Sequence, residues 1–398
     1  MIHKLWTKNF TAIIAANTLM ATAFNALIIT LPPYLSGSLK MSQSSIGIIM
    51  SVFAVSALLA RPVAGHLNDN YSRFPIFLTA LGLMTGLYVL YPLVSSFAAL
   101  IGIRLLHGAF WGASTITTST ITADIAPARR RGEGIGIYGV TVPLATGIGG
   151  LIGVQLMDRA GTQAMFIVIV LISASAWLIG YWGRLPLKPY KKKIFDFKTL
   201  LHGKALPVSL TVFLLTFVFG AVIIYGKQYA MQNNFTASGY FFLVLSAAFI
   251  LSRVMLGKLF DRGKVTLLIT IGLVATTAGM IGLGCAGSDA AFLASGLIMG
   301  FGFGTILPTC QAKVNHIVFP HERGAANSTY FMAYDIGMGA SGLLVGVLSE
   351  HFSFSRIYLA CPVMLLLAAV VFYGKAIPHY KRHAAFMKQA PMDTTVQD

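Results

Sequence analysis

Long apolar runs dominate the chain, and polar residues are gathered in short segments between them. A helix needs about 20 mostly apolar residues to cross a bilayer, and twelve runs are long enough. They cover residues 10–33, 44–66, 74–95, 98–124, 132–156, 163–184, 207–230, 238–260, 265–286, 290–317, 325–349 and 354–375. The ten-residue alternation of a membrane barrel strand is absent. Because each span must satisfy its own backbone groups, the pattern predicts an all-α integral membrane protein with twelve transmembrane helices.

Composition agrees with this prediction, since 56% of residues are hydrophobic and only 10% are charged, against about 25% charged in soluble domains. The first run contains Asn17 and Asn25 and is followed by no small-residue cleavage site, so we expect it to remain as the first span. Cys285, Cys310 and Cys361 all lie in apolar runs, which predicts small core residues rather than a disulfide framework or a zinc site.

The chain repeats itself at an offset of 192 residues. Arg61, Gly65, Leu67 and Asp69 return as Arg253, Gly257, Leu259 and Asp261. Further pairs at this offset are Gly47/Gly239, Gly108/Gly300, Gly112/Gly304, Arg131/Arg323, Gly132/Gly324, Tyr138/Tyr330, Gly147/Gly339 and Gly150/Gly342. We predict two pseudo-symmetric six-helix halves at 1–185 and 207–377, joined by a linker at 186–206 and followed by a tail at 378–398, with the site between the halves.

The basic residues are distributed unevenly between the two sides of the predicted bundle. With both termini cytoplasmic, the inner side collects 22 Lys and Arg residues and the outer side only 4. The positive-inside rule therefore predicts cytoplasmic termini. This bias explains the net charge of +17 without nucleic-acid binding. The Lys-rich linker carries aromatic residues as well, which is typical of an amphipathic helix lying on anionic membrane lipids.

The repeated element resembles the Gly-x-Leu-x-Asp motif that follows the second and eighth helices in the major facilitator superfamily. The first copy matches at Gly65, Leu67, Asp69 and Arg73, and the second at Gly257, Leu259, Asp261, Arg262 and Gly263. The resemblance covers essentially the whole chain. It implies the major facilitator fold and a multi-pass protein of a bacterial inner membrane, which we expect to function as a monomer without a cofactor or metal ion.

The motif carboxylates suggest a conformational latch. Asp69 can accept hydrogen bonds from the N-terminus of the helix that begins near Gly324, and Asp261 from the helix that begins near Gly132. The alternative is a pair of solvated loop carboxylates. The predicted latch residues are Arg61, Gly65, Asp69, Arg73, Arg253, Gly257, Asp261 and Arg262.

Three residues are candidates for proton coupling. Arg104, His107 and Gly108 resemble the Arg-x-x-Gln-Gly element of proton-coupled efflux proteins, with His107 in the place of glutamine. An arginine in the bilayer should face the interior and have a partner, and a histidine titrates near neutral pH. Asp335 lies near the middle of the eleventh span, where an acid suits a group that takes and releases a proton. For each, a structural role is the alternative.

The glycine-rich fifth span, with Gly149, Gly150 and Gly153, resembles an antiporter element but lacks its usual proline, so the antiporter interpretation stays open. The resemblance further implies a cavity lined by the first, fourth, seventh and tenth spans. Its candidate wall residues are Asn17, Asn25, Trp111, Thr115, Tyr225, Gln228, Thr305, Thr309 and Gln311. We expect Lys227, near the outer end of its span, to reach towards the headgroups.

These features predict a secondary transporter that exports a small amphipathic solute, drug or metabolite in a proton-coupled alternating-access cycle. The first alternative is a proton-coupled importer of a sugar or carboxylate nutrient, and a narrower one is an exporter of a metal-chelating metabolite. An enzyme is disfavoured because the hydrolase, zinc-peptidase and nucleotide-binding motifs are absent. A receptor or scaffold is disfavoured because no large extramembrane domain is present.

Overall fold

The computed structural model describes residues 4–127, 130–183, 201–261, 264–319 and 322–380, and it is helical throughout. The helices are α1 (Lys8–Gly37), α2 (Gln43–Asn70), α3 (Arg73–Leu90), α4 (Phe97–Ile125), α5 (Arg131–Trp182), α6 (Leu206–Gln232), α7 (Ser238–Asp261), α8 (Val265–Gly284), α9 (Asp289–His316), α10 (Arg323–Leu348) and α11 (Phe354–Val371). The prediction of an all-α membrane protein is confirmed, since eleven helices of the described chain are long and apolar enough to cross a membrane.

The difference between eleven helices and twelve predicted spans lies in α5. This helix has 52 residues and contains Gly161 at φ 85° and ψ 171°, which is not a helical conformation. Only glycine adopts this backbone geometry without strain, so Gly161 divides α5 into two arms. The arms coincide with the predicted fifth and sixth spans, and the structure is therefore consistent with twelve passes.

The helices pack in an arrangement that repeats along the chain. In the N-terminal half (α1–α5), α1 packs on α5 and α2 on α4, and in the C-terminal half (α6–α11), α6 packs on α10 and α7 on α9. The halves meet along two seams, α2 against α10 and α5 against α7. The linker and tail boundaries stay predictions, because residues 184–200 and 381–398 lie outside the described chain.

We name the end of the bundle where α1 begins and α11 ends the terminal end, and the opposite end the distal end. Towards the distal end, α1 is buried without interruption over residues 20–35, and α6 over residues 214–230. A helix that is buried on every side lies at the centre of its bundle. The two helices also contact each other, so the distal part of the space between the halves is filled.

Glycines allow α2 and α4 to approach closely, and equivalent glycines allow the same approach between α7 and α9. A Cβ atom on Gly108 would overlap the carbonyl oxygen of Phe53, and one on Gly300 would overlap that of Leu245. These four residues are related by the same 192-residue offset. Small residues at such crossings are what allow helices to pack tightly in membranes.

The repeat extends to hydrogen bonds. The Tyr138 hydroxyl donates to the Thr115 carbonyl at 3.1 Å, and the Tyr330 hydroxyl donates to the Leu307 carbonyl at 3.0 Å. Both donor and acceptor positions differ by 192 residues. At these positions the two halves have the same internal contacts. Equivalent positions occupied by different residues therefore indicate where the roles of the two halves differ.

We expect Gly300→Val to destabilise the protein, because its side chain would displace the backbone of α7. Overpacking of this kind costs about 1–3 kcal/mol. Gly86→Val is the matched control, since a Cβ on Gly86 meets no atom within 4 Å. Thermal unfolding of the two purified variants should show a lower midpoint for Gly300→Val only, and equal midpoints would contradict the packing described for α7 and α9.

Candidate functional site

A buried ion pair joins the two halves across the α2/α10 seam. The Nε atom of Arg61 lies 2.7 Å from Oδ2 of Asp335, and its Nη2 atom lies 3.2 Å from Oδ1. The two side chains are only 11% and 12% exposed. The Arg61 guanidinium also lies over the Phe331 ring, 5.6 Å from its centroid. The sequence singled out both charged residues separately but did not indicate that they pair.

This pairing links protonation to contact between the halves. An ion pair with two parallel hydrogen bonds is strong and directional. When one partner of a buried pair loses its charge, the other is left uncompensated, which is strongly unfavourable. A neutral Asp335 would therefore hold α2 against α10 less strongly than the carboxylate does.

Arg104 and His107 lie elsewhere, inside the N-terminal half. Both are fully buried. Arg104 donates from Nε to the Ile49 carbonyl at 3.2 Å and lies 4.5 Å from the Phe53 ring centroid, while Nδ1 of His107 lies 3.0 Å from the Tyr91 hydroxyl. This is the arrangement expected of the structural alternative, and a role in proton coupling stays a prediction.

Two of the candidate wall residues tie α1 to its neighbours. Asn17 donates to Thr141 at 2.8 Å and accepts from Thr118 at 3.0 Å. Asn25 accepts from Thr146 at 3.0 Å. These bonds lie within the N-terminal half and hold α1 against α4 and α5.

The remaining candidate wall residues are dispersed over three helices, α4, α6 and α9. On α4, Trp111 stacks on Phe24, and Thr115 donates to the carbonyls of Trp111 and Gly112 in its own helix. On α9, Thr305 and Thr309 donate to the carbonyls four residues earlier, and Gln311 contacts Asn327. On α6, Tyr225 donates to the Gly342 carbonyl, and Gln228 donates to Pro32 and Ser36. Of these, Gln228 bridges the two halves at the distal end. Their contact with a solute stays a prediction.

Two further polar contacts close the distal end, and sequence reasoning missed both. Glu350, in the loop after α10, accepts a hydrogen bond from the Ser44 backbone N–H in the first turn of α2, at 2.9 Å. Nζ of Lys227 lies 2.6 Å from Oδ2 of Asp158. The expectation that Lys227 reaches the headgroups was wrong, because its side chain is only 4% exposed and is held by this acid of the opposite half.

The polar contacts between α2 and α10 run from the distal end only part of the way along the seam. Ser44 contacts Glu350, Ser51 contacts Gly339 and Arg61 pairs with Asp335, and the last of these contacts lies closest to the terminal end. The described structure is thus closed at the distal end.

Half of the eight predicted latch residues, including both motif aspartates, have side chains or surroundings outside the described part of the structure. Arg262 and the side chains of Asp69 and Asp261, with the surroundings of Gly257, are not described. Arg73 is described, and it pairs with Asp124 of α4 while its Nε atom donates to the Asn68 carbonyl. It therefore braces the N-terminal half, and the latch stays a prediction.

Nothing in the described chain resembles a metal centre. Among these residues, no group of three or more His, Cys, Asp or Glu side chains converges. A groove between α3 and the C-terminal arm of α5, lined by Gly82, Thr85, Ala174, Trp177 and Leu178, belongs to neither seam. The seams between the halves are the candidate site.

The fold and the seams define a polytopic carrier with two repeated halves. A profile of the Major Facilitator Superfamily matches residues 13–312 and 263–394, and the chain belongs to this family. Members of the family are transporters rather than enzymes.

Individual relatives are distant. The staphylopine export protein of Staphylococcus aureus is 20% identical over 378 residues, covering 90% of this chain and 94% of that protein. The crystal structure of a point mutant of the nucleoside transporter NupG superposes with a TM-score of 0.75 at 15% identity, covering 92% of this chain and 99% of that one. The human organic anion transporter MFSD10 gives a TM-score of 0.70 at 18% identity, covering 92% and 98%. These structural likenesses establish the fold and leave the substrate open.

Closure of the distal end should depend on pH through Glu350. The hydrogen bonds from Ser44 hold the pKa of Glu350 below its usual value near 4.5, and the adjacent His351 lowers this pKa further. Because the pKa is depressed in the closed state, the stabilisation is present above the usual pKa and is lost as pH falls through the lowered value.

We therefore expect acid to open the distal end. Spin labels at Lys40→Cys and Phe352→Cys, in a background without native cysteines, should show a larger long-distance population at pH 3.5 than at pH 7. In the Glu350→Gln variant this population should already be raised at pH 7. A pH response of the same size with and without Glu350 would refute the assignment.

Proposed function

We propose that this transporter exports a small amphipathic solute, drug or metabolite from the cytoplasm of a bacterium in exchange for protons. The terminal end faces the cytoplasm in this proposal, as the 22 to 4 distribution of Lys and Arg indicates. The observation that carries proton coupling is the buried Arg61–Asp335 pair across the seam. The relative named as an export protein supports the direction.

In the proposed cycle, a solute enters from the cytoplasm while the distal end is closed. The distal contacts then break, the terminal end closes, and the solute leaves outwards. Exchange requires that proton and solute favour opposite states, since a ligand shifts an equilibrium only by its difference in affinity. Asp335 supplies this difference because its charge decides whether Arg61 holds α2 against α10.

Two alternatives follow from specific observations. The likeness to a nucleoside transporter accommodates a proton-coupled importer of a nutrient. The staphylopine export protein accommodates an exporter of a metal-chelating metabolite. The direction of proton movement separates the first from our proposal, and a solute panel that includes staphylopine tests the second.

We expect Asp335→Asn to abolish proton-coupled transport while leaving solute exchange intact. Sealed proteoliposomes carrying an internal pH dye would be given gradients of staphylopine, uridine, benzoate or benzamide. In the wild type, a transported solute should drive protons in the opposite direction, and Asp335→Asn should lower this flux at least tenfold. Counterflow of the radiolabelled solute should persist in the variant, since it requires no proton.

Glu133→Gln is the matched control, because this acid is about half exposed and, among the described residues, pairs with its neighbour Arg130 within the same half. Protons moving with the solute would establish a symporter and contradict export by exchange. Proton-coupled flux of wild-type size in Asp335→Asn would remove Asp335 from the mechanism.

A further inference from the structure

The second seam contains an arginine equivalent to Arg61. Arg253 stands 192 residues after Arg61 and points from α7 towards α5, as Arg61 points from α2 towards α10. Each arginine is within electrostatic range of an equivalent tyrosine, Tyr138 for Arg61 and Tyr330 for Arg253. The duplication thus places two arginines in corresponding positions on opposite sides of the interface.

The helix faces opposite the two arginines differ in one decisive position. On α10, Phe331 and Asp335 face Arg61. The corresponding residues on α5 are Gly139 and Pro143. Pro143 lies one turn from Gly139 and one turn from Gly147, both of which touch α7, so it belongs to the same helix face. Where one seam has a carboxylate, the other has a proline.

Proline gives Arg253 a neutral partner. Because Pro143 has no N–H, it cannot donate the helical hydrogen bond to the Gly139 carbonyl four residues earlier. That free carbonyl accepts from Nη1 of Arg253 at 2.9 Å, and the absence of a side chain at Gly139 permits the approach. The carbonyl positions the guanidinium without cancelling its charge.

The charge of Arg253 is uncompensated within the described chain. Its only other described contact is with the Phe249 ring, 5.2 Å from the centroid, and its Nε atom is buried without a hydrogen-bond partner. No carboxylate among the described residues pairs with it. Arg104 also lacks a carboxylate partner among these residues, but it is fully buried inside one half, whereas Arg253 is partly exposed and lies between the two halves. An unpaired cation in such a position inside a membrane protein marks the path or site of a ligand.

We propose that Arg253 is the anion-binding subsite of the transporter, and that the solute is an organic anion whose carboxylate or phosphate group pairs with this guanidinium. The bound anion pairs with Arg253 as Asp335 pairs with Arg61. Planar guanidinium groups suit such groups because they donate two parallel hydrogen bonds. This inference rests on the proposed function only in requiring that a solute enters between the halves.

The test measures the affinity for each probe by calorimetric titration of the purified full-length protein in neutral phosphatidylcholine nanodiscs. The probes are three matched pairs: benzoate and benzamide, 1-naphthoate and 1-naphthamide, and phenyl phosphate and phenol. We expect the wild type to prefer the anions at least about tenfold, the size of a charged hydrogen bond. Arg253→Gln should lose the preference, while Arg356→Gln, which removes an exposed arginine, should keep it.

The proline offers a second comparison that leaves Arg253 in place. Pro143→Asp supplies the carboxylate that this seam lacks and should abolish the preference, whereas Pro143→Asn, which also removes the proline, should retain it. This comparison remains decisive if Arg253→Gln fails to fold. No preference in the wild type, preference retained in Arg253→Gln, or equal behaviour of the two Pro143 variants would overturn the proposal.

A lipid phosphate could present the same chemistry as a solute, so the titration is repeated with phosphatidylglycerol in the nanodiscs. We expect the same preference for the soluble anions. Its loss would identify a headgroup as the occupant and overturn the solute assignment. Because binding requires no transport, the test can fail while proton-coupled flux persists, and it can succeed in a protein that proves to be a symporter.

Discussion

A charge between two membrane-embedded half-bundles must be compensated, and this constraint organises the structure. In a low-dielectric interior an ion is far less stable than in water unless it is hydrogen-bonded, and an opposite charge compensates it best. Arg61 pairs with Asp335 across one seam, and Lys227 pairs with Asp158 across the distal end. Each of these partners belongs to the opposite half, so relative motion of the halves and the state of the charges are inseparable.

The duplication provides a reference against which each half can be compared. Glycine crossings and tyrosine hydrogen bonds recur at the same offset in the two halves. Equivalent glycines, Gly339 and Gly147, also approach the facing helix in both seams, but Asp335 of one seam corresponds to Pro143 of the other. One seam contains an arginine paired with a carboxylate, and the other contains an arginine that pairs with no carboxylate among the described residues. In our proposal, the first seam responds to protons and the second binds an anionic solute.

Much of the fold could be predicted because membrane spans are determined by local hydrophobicity. The predicted spans match the helices, and even the break in α5 falls between two predicted runs, at Gly161. Gly108 and Gly300 were recognised as a repeated pair, and the structure shows that both lie at close helix crossings. Asp335 was recognised because an acid in an apolar run is conspicuous.

The pairings could not be predicted, since they depend on how distant segments meet. Arg61 and Asp335 are separated by 274 residues, and Ser44 and Glu350 by 306. Glu350 lies in an ordinary polar loop, where sequence carries no sign of a cross-half contact. Lys227 is a cation within an apolar span. This pattern should have been interpreted as a buried lysine rather than as one whose side chain extends to the headgroups. The Arg253 contact required knowing that the Gly139 carbonyl faces α7.

In the proposed cycle, the Arg61–Asp335 pair stabilises the state in which the distal end is closed. Double electron–electron resonance between labels at Tyr71→Cys and Gly324→Cys, on opposite halves of the terminal end, measures the balance between this state and the opposite one. Because Asp335→Asn, and equally Arg61→Gln, removes the pair, each should shift the distribution towards shorter distances as the terminal end closes. A distribution unchanged from that of the otherwise wild-type protein would contradict this role of the pair.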